Sequence, residues 1–338
     1  MNESSPSRAI AIWILIGVVM LMVQVMLGGI TRLTGSGLSI TEWKPILGTI
    51  PPMNDHDWQV AFNKYKEIGQ YKQINFHFTL EDFKFIYFWE WFHRVWARLI
   101  AVAFAIPFFV FLVQKRFRKD MVAPMVVLFL LGGLVGALGW IMVATGLNQD
   151  NVYVSHYALA VHFMAAMIVI CYALWFGLKL TVPAKQFVRH SSLKKAAIGI
   201  IILLAIQLVY GAFMAGLKAA VAAPTWPTIN GSWLPHAETN HPFNDPLNVQ
   251  FIHRMLAYIL TLVMLGWWWQ ARAVYGGRWF AVARKLPVVL VLVQVILGIL
   301  TVLFSTQPKS LIWLGVAHQF VAMLLLLSWI QLVYIIRR

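Results

Sequence analysis

The chain has 338 residues, of which 60% are hydrophobic and only 12% charged. A soluble domain is nearer about 45–50% apolar and about 25% charged, so an ordinary globular fold is excluded. The net charge of +15 hints at nucleic acid. The cations, however, cluster in short segments between apolar stretches, as they do where they orient a membrane protein, and no aromatic-basic nucleic-acid module accompanies them.

Apolar stretches of about 20 residues predict an all-α integral membrane protein with eight transmembrane helices. In chain order they run 9–32, 84–113, 121–146, 153–179, 196–217, 249–271, 286–306 and 311–336. The first is too long for a signal-peptide core and no A-x-A-like site follows it, so it reads as a retained helix. Every second connection is basic: Lys115, Arg116, Arg118 and Lys119; Lys185, Arg189, Lys194 and Lys195; Arg272, Arg278, Arg284 and Lys285. With the final Arg337–Arg338, these place both termini in the cytoplasm. Even-numbered helices then enter from the outer side, where two longer connections lie, 33–83 and 218–248. The short polar N-terminus lacks the Arg-rich look of a mitochondrial presequence, so a bacterial cytoplasmic membrane is expected. The single cysteine, Cys171, lies in an apolar stretch, which excludes a loop disulfide and a cysteine-based metal site.

Three helices share a spacing: Gln24 and Gly28, Gln207 and Gly211, Gln294 and Gly298. Helix three keeps Gly139 but has Val135 at the glutamine position. Outer loops rhyme as well, Trp43-Lys44-Pro45, Gly48 and Pro51 against Trp226-Pro227, Gly231 and Pro235. A single glycine reads as close helix packing. The pattern across both halves predicts two pseudo-symmetric four-helix bundles, residues 1–185 and 186–338, related by an axis along the membrane normal.

Of ten histidines, His93, His162, His253 and His318 lie inside spans, one on each even-numbered helix. Counting from the outer polar boundary, all four sit roughly 12–17 Å deep. One membrane histidine is often just a hydrogen-bonding group between helices. Four at matching depth, two per half, point instead to two pockets in which paired imidazoles ligate haem iron. Two histidines without a third protein ligand fall short of a zinc site. His156, six residues before His162, points about 240° away and is left out.

Among twelve acidic residues, Glu90 is the one within an apolar span. It precedes His93 by three residues and so shares its helix face. The matching position before His253 is Gln250. Either Glu90 marks an active site or it forms an i,i+4 ion pair with Arg94. Arg94, Arg98 and Arg254 are candidates to meet haem propionates, or they snorkel to the interface.

As a set these features resemble the heme A synthase family of cytochrome oxidase assembly, over nearly the whole chain. The carriers are Gly28-Gly-Ile-Thr-Arg32-Leu-Thr-Gly-Ser-Gly37 with Trp43 and Pro51-Pro52, Glu90-Trp-Phe-His93-Arg94, and Pro224-Thr-Trp-Pro227 with Asn230-Gly231. The resemblance implies that a methyl group of heme O becomes the formyl group of heme A, stepwise through an alcohol and a hydrated aldehyde. It implies Glu90 as catalytic acid, His93 and His162 flanking the substrate haem, and His253 and His318 ligating a retained heme b. Heme O synthase and an electron-transfer protein are the implied partners, besides the lipid bilayer. Paired outer-loop cysteines known in some members are lacking here, which excludes a mechanism that needs them.

Two rivals remain at this stage. A di-haem b-type cytochrome that only carries electrons commonly places two ligand histidines on one helix, unlike this chain. A transporter fits the repeat but not four histidines at equal depth. Heme O synthase activity itself would need aspartate-rich motifs, and the acids offer none.

Overall fold

The computed structural model describes residues 5–43, 47–148, 151–236 and 241–337. Lys44 and Pro45 of the loop rhyme, and the terminal Arg338, lie outside these. Among the described residues eight helices are long and apolar enough to cross a bilayer: Arg8–Leu33, Leu80–Val113, Lys119–Gly146, His156–Thr181, Ser191–Gly216, Pro246–Ala271, Arg278–Leu303 and Pro308–Ile335, here spans one to eight. The hydropathy reading found all eight, with ends displaced by a few residues. Span seven differs most, because helix already begins at Arg278 and breaks at Arg284 and Lys285 before resuming.

Helices suit this sequence because in hydrocarbon every backbone amide must be satisfied within its own segment. Polar residues fix where they start. Thr79 and Asp82 form a reciprocal capping box at span two. Asp245 accepts from the amides of Leu247 and Asn248, ahead of Pro246 in the first turn of span six. At the basic end Arg284 donates to the carbonyls of Ala271 (2.6 Å) and Val274 (3.0 Å), closing span six where its free carbonyls accumulate.

Spans one, four, five and eight pack in a ring, and spans two, three, six and seven lie outside it. The core runs along this ring through Ile170, Ile200, Met264, Met323 and Trp329, with Trp267 edge-on to Trp329 at 4.9 Å. Two short strands, Val188–Arg189 and Ile336–Arg337, pair in parallel at the basic end and tie the span four–five connection to the chain's last residues.

The first long connection is more structured than the sequence reading allowed. It holds a helix, Asp55–Tyr65, capped by Asn54, and a π-helical turn, Tyr71–Asn75. Phe62 and Tyr65 bury against Leu38 and Phe83. The Tyr65 hydroxyl donates to Gln70 Oε1 (3.0 Å) and accepts from Asn75 (2.8 Å), while Gln70 donates to the carbonyls of Gly35 and Val152. Burial pushes the Tyr65 phenol up to about 12, so it stays a neutral donor across the working range. Replacing Tyr65 with Phe leaves Gln70 and Asn75 short of a partner. It should cost about 1–2 kcal/mol, read as a lower thermal midpoint and faster proteolysis within residues 55–79 of the solubilised protein.

Candidate functional site

One cavity of about 1390 Å³ runs through the membrane region and is lined by all four span histidines together with Glu90, Arg94, Arg98 and Arg254. Small-molecule pockets are usually about 300–1,000 Å³, so this space exceeds a single ordinary ligand.

Each histidine stands against one glycine of the preceding span. A Cβ built on Gly139 would come 2.8 Å from His162 Cε1, and one on Gly298 3.0 Å from His318 Cε1. On Gly28 it would lie 3.3 Å from His93 Nε2, and on Gly211 3.5 Å from His253 Cε1. The repeated glycines are therefore imidazole seats rather than mere points of helix approach. Two of the three repeated glutamines serve the same rings, while Gln24 Oε1 is buried without a partner. Gln207 Nε2 lies 3.2 Å from His253 Nδ1, and Gln294 Nε2 lies 3.1 Å from His318 Nε2. At the third seat Val135 supplies no amide, and His162 Nδ1 has no partner. His318 Nδ1 is likewise buried without a partner.

The rings of His253 and His318 have centroids 6.4 Å apart and planes at 62°. A metal–imidazole bond of about 2.0 Å, and about 1.2 Å from nitrogen to ring centre, would put two rings bracketing one metal about 6.4 Å apart. This pair fits a six-coordinate haem iron. Among the described residues no three metal-ligating side chains come together, so any metal must bring its other ligands with it, as a porphyrin does.

Glu90 is 2% exposed. One carboxylate oxygen accepts from Ser39 Oγ (2.7 Å) and the Ile40 amide (2.8 Å), the other from Arg94 (2.5 Å). Arg94 also donates to the carbonyls of Ile40 and Glu42. The pair thus fastens residues 39–42 of the first long connection to the helix turn that carries His93. In the second half Gln250 donates to the Ala223 carbonyl, and Arg254 to those of Thr225 (2.7 Å) and Thr228 (3.2 Å). Both loops are held from the same two helix positions. The difference is that Glu90 lines the cavity and Gln250 does not. Of the alternatives weighed for Glu90, the ion pair with Arg94 is observed, and the same carboxylate lines the cavity. Arg94 binds Glu90 and loop carbonyls and Arg254 binds loop carbonyls, and Arg98 lines the cavity with them, a turn beyond Arg94.

Contacts between the halves complete the site. Arg32, at the end of span one, donates to the carbonyls of Ala215 (3.2 Å) and Gly216 (2.5 Å) at the end of span five. Gln319 donates to the Val25 carbonyl across Gly29, where any side chain would collide with it. His156 packs on Phe213 and Gly216, away from the cavity. The sequence reading missed Ser39, Ile40 and the glycine–imidazole pairing, because each joins segments far apart in the chain.

Fold and site define a polytopic α-helical membrane protein whose four span histidines line one large internal cavity. A family model described as "Cytochrome oxidase assembly protein" matches residues 11–330. Similar proteins include heme A synthases of Parvibaculum lavamentivorans (41% identity, over 94% of this chain and 91% of that one) and Flavobacterium johnsoniae (38%, 95% and 95%). A third, from Rhodospirillum centenum, is 41% identical over 97% of this chain and 89% of its own. The chain belongs to the heme A synthase family of cytochrome oxidase assembly proteins.

The glycine seats predict a graded response to added methyl groups. Gly139→Ala and Gly298→Ala should displace their imidazoles and weaken haem retention about tenfold or more, since displacing or unsettling a metal ligand typically costs that much. Gly211→Ala, at ordinary contact distance, and Gly199→Ala, facing open space, should leave the visible spectrum unchanged.

Proposed function

We propose that this chain oxidises a methyl group of heme O to the formyl group of heme A, for use in cytochrome oxidase. The observation that carries the reading is the inequality of two otherwise matched seats: a carboxylate, Glu90, lines the cavity beside His93, whereas the amide at the corresponding place, Gln250, does not line it. The family supplies the substrate and product, and the relatives named above are heme A synthases.

On this reading residues 1–185 hold heme O between His93 and His162, and residues 186–338 hold heme b between His253 and His318. The 6.4 Å separation of the second pair supports the latter. Bound there, heme b supplies one-electron redox chemistry. His93 and His162 orient the substrate by its iron. Glu90, fixed by Ser39, Ile40 and Arg94, presents negative charge that cannot swing away. Preorganised charge of this kind stabilises positive charge developing at the methyl carbon, or takes up a proton as hydrogen is removed. Residues 39–42 cover the site against water, and Arg98 is assigned to a propionate.

The basic segments orient the chain with both termini in the cytoplasm of a bacterium, placing the cavity and its loops toward the outer leaflet. Heme O synthase is the partner that would deliver substrate, and an electron-transfer protein the one that would exchange electrons.

Glu90→Gln is the decisive variant, because Gln250 shows that an amide at this helix position can still hold a loop. It should retain both haems yet lower heme A formation by about 10²–10³-fold, measured by extracting and weighing the pigments. Heme A production at the wild-type rate would refute the catalytic role. Separately, His253→Ala should abolish the low-spin absorbance of heme b while heme O still binds in the first half, measured on the purified protein supplied with heme O.

A further inference from the structure

The two halves differ in one further respect, the fit between their outer spans. Spans six and seven pack against each other, whereas among the described residues the backbones of spans two and three have scarcely any close approach, although only residues 114–118 separate them in sequence. The side chains that bridge the gap are Phe104 and Phe129, with ring centroids 5.9 Å apart. Toward the basic end the gap is closed by stacking of Phe104 on Trp13 at 5.1 Å and by the neighbouring Phe108 and Phe117.

Beyond Phe129 the wall on span three is bare. Gly132, Gly133 and Gly136 are exposed and line the cavity, and a Cβ on any of them would meet nothing within 4 Å. Across the gap stand Ala97 and Ala101 of span two, also lining the cavity. The result is an apolar groove continuous with the seats of His93 and His162 and extending about 15 Å along span three, from Gly139 to Phe129. Nothing polar is needed to occupy it. A bare helix face beside an aromatic floor suits a flexible hydrocarbon chain, which gains burial without requiring a hydrogen bond.

We infer that the gap between spans two and three seats the isoprenoid side chain of heme O. This rests on the proposed assignment of the first half to the substrate. Heme O differs from protohaem in carrying that chain where protohaem has a short vinyl group. The half with an open flank is thus the half that must take the tailed porphyrin. The half whose spans six and seven close on each other needs room for a tail-less one. The open flank also lets the tail reach the bilayer, from which so apolar a molecule is drawn.

The test is binding rather than turnover. Wild-type protein with heme b in its second pocket is titrated with heme O and with protohaem, and occupancy of the first pocket is read from the absorbance increment. Gly133→Leu and the milder Gly136→Ala narrow the groove; Gly266→Leu, on an exposed glycine of span six outside the cavity, serves as control. The wild type and the control should prefer heme O by about tenfold or more, as burial of a long apolar chain requires. Gly133→Leu should bring that preference below about twofold with protohaem affinity unchanged, and Gly136→Ala should fall between. Retention of the heme b spectrum certifies folding in each variant. A preference for heme O that survives Gly133→Leu overturns the tail assignment alone. Failure of either haem to enter the wild-type first pocket overturns the functional reading and the tail assignment together.

Discussion

Everything in this molecule is arranged around imidazoles held in hydrocarbon, where a polar side chain is costly unless it has a purpose and a partner. Each of the four histidines is seated by a glycine on the span before it, and the clearance is too small for a Cβ at Gly139 unless the ring shifts, and tight at Gly298. A seat of this kind fixes the ring laterally while leaving its edge to face the cavity. Gln207 and Gln294 then address ring nitrogens from one helical turn away. Such outer contacts orient a metal ligand as firmly as the backbone that bears it. The spacing of glutamine and glycine on spans five and seven is thus one instruction, repeated: bring an imidazole here and hold it.

A second instruction is written one turn away on the even spans. The residue three before each of His93 and His253, and the arginine directly after, reach upward to carbonyls and amides of an outer loop. Ligand and cover are therefore carried by the same helical turn, so loop position and ring position are mechanically linked. In the first half the fastening group is an acid that also faces the cavity. A carboxylate so placed serves the structure and remains available to the chemistry. The ion pair with Arg94 and the catalytic reading are not in conflict, since a charge must be held rigidly to stabilise another charge efficiently.

Much of this was legible in the chain itself. Apolar length gives the spans, because the bilayer sets a minimum. The four histidines stand out by depth, and Glu90 by being an acid among apolar residues. The i,i+4 relation to Arg94 was readable because helical geometry fixes it locally. What escaped depended on distant segments. The helix Asp55–Tyr65 had its signals, Asn54 as cap and Trp58, Phe62 and Tyr65 on one face, but an 11-residue helix in a polar connection carries little hydropathic weight. The seat of each imidazole joins two spans and has no signature within either. Val135 is the instructive case: the sequence showed a missing glutamine, and the structure shows that the His162 ring is still seated by Gly139 without a side-chain amide beside it.

The central claim, that paired imidazoles bracket a haem iron, is tested most directly by electron paramagnetic resonance of the purified ferric protein. Rings inclined at 62°, as His253 and His318 are, predict a low-spin, bis-imidazole signal of large g-anisotropy that disappears when His318 is replaced by Ala. A high-spin signal from five-coordinate iron, or a low-spin signal indifferent to His318, would contradict the account.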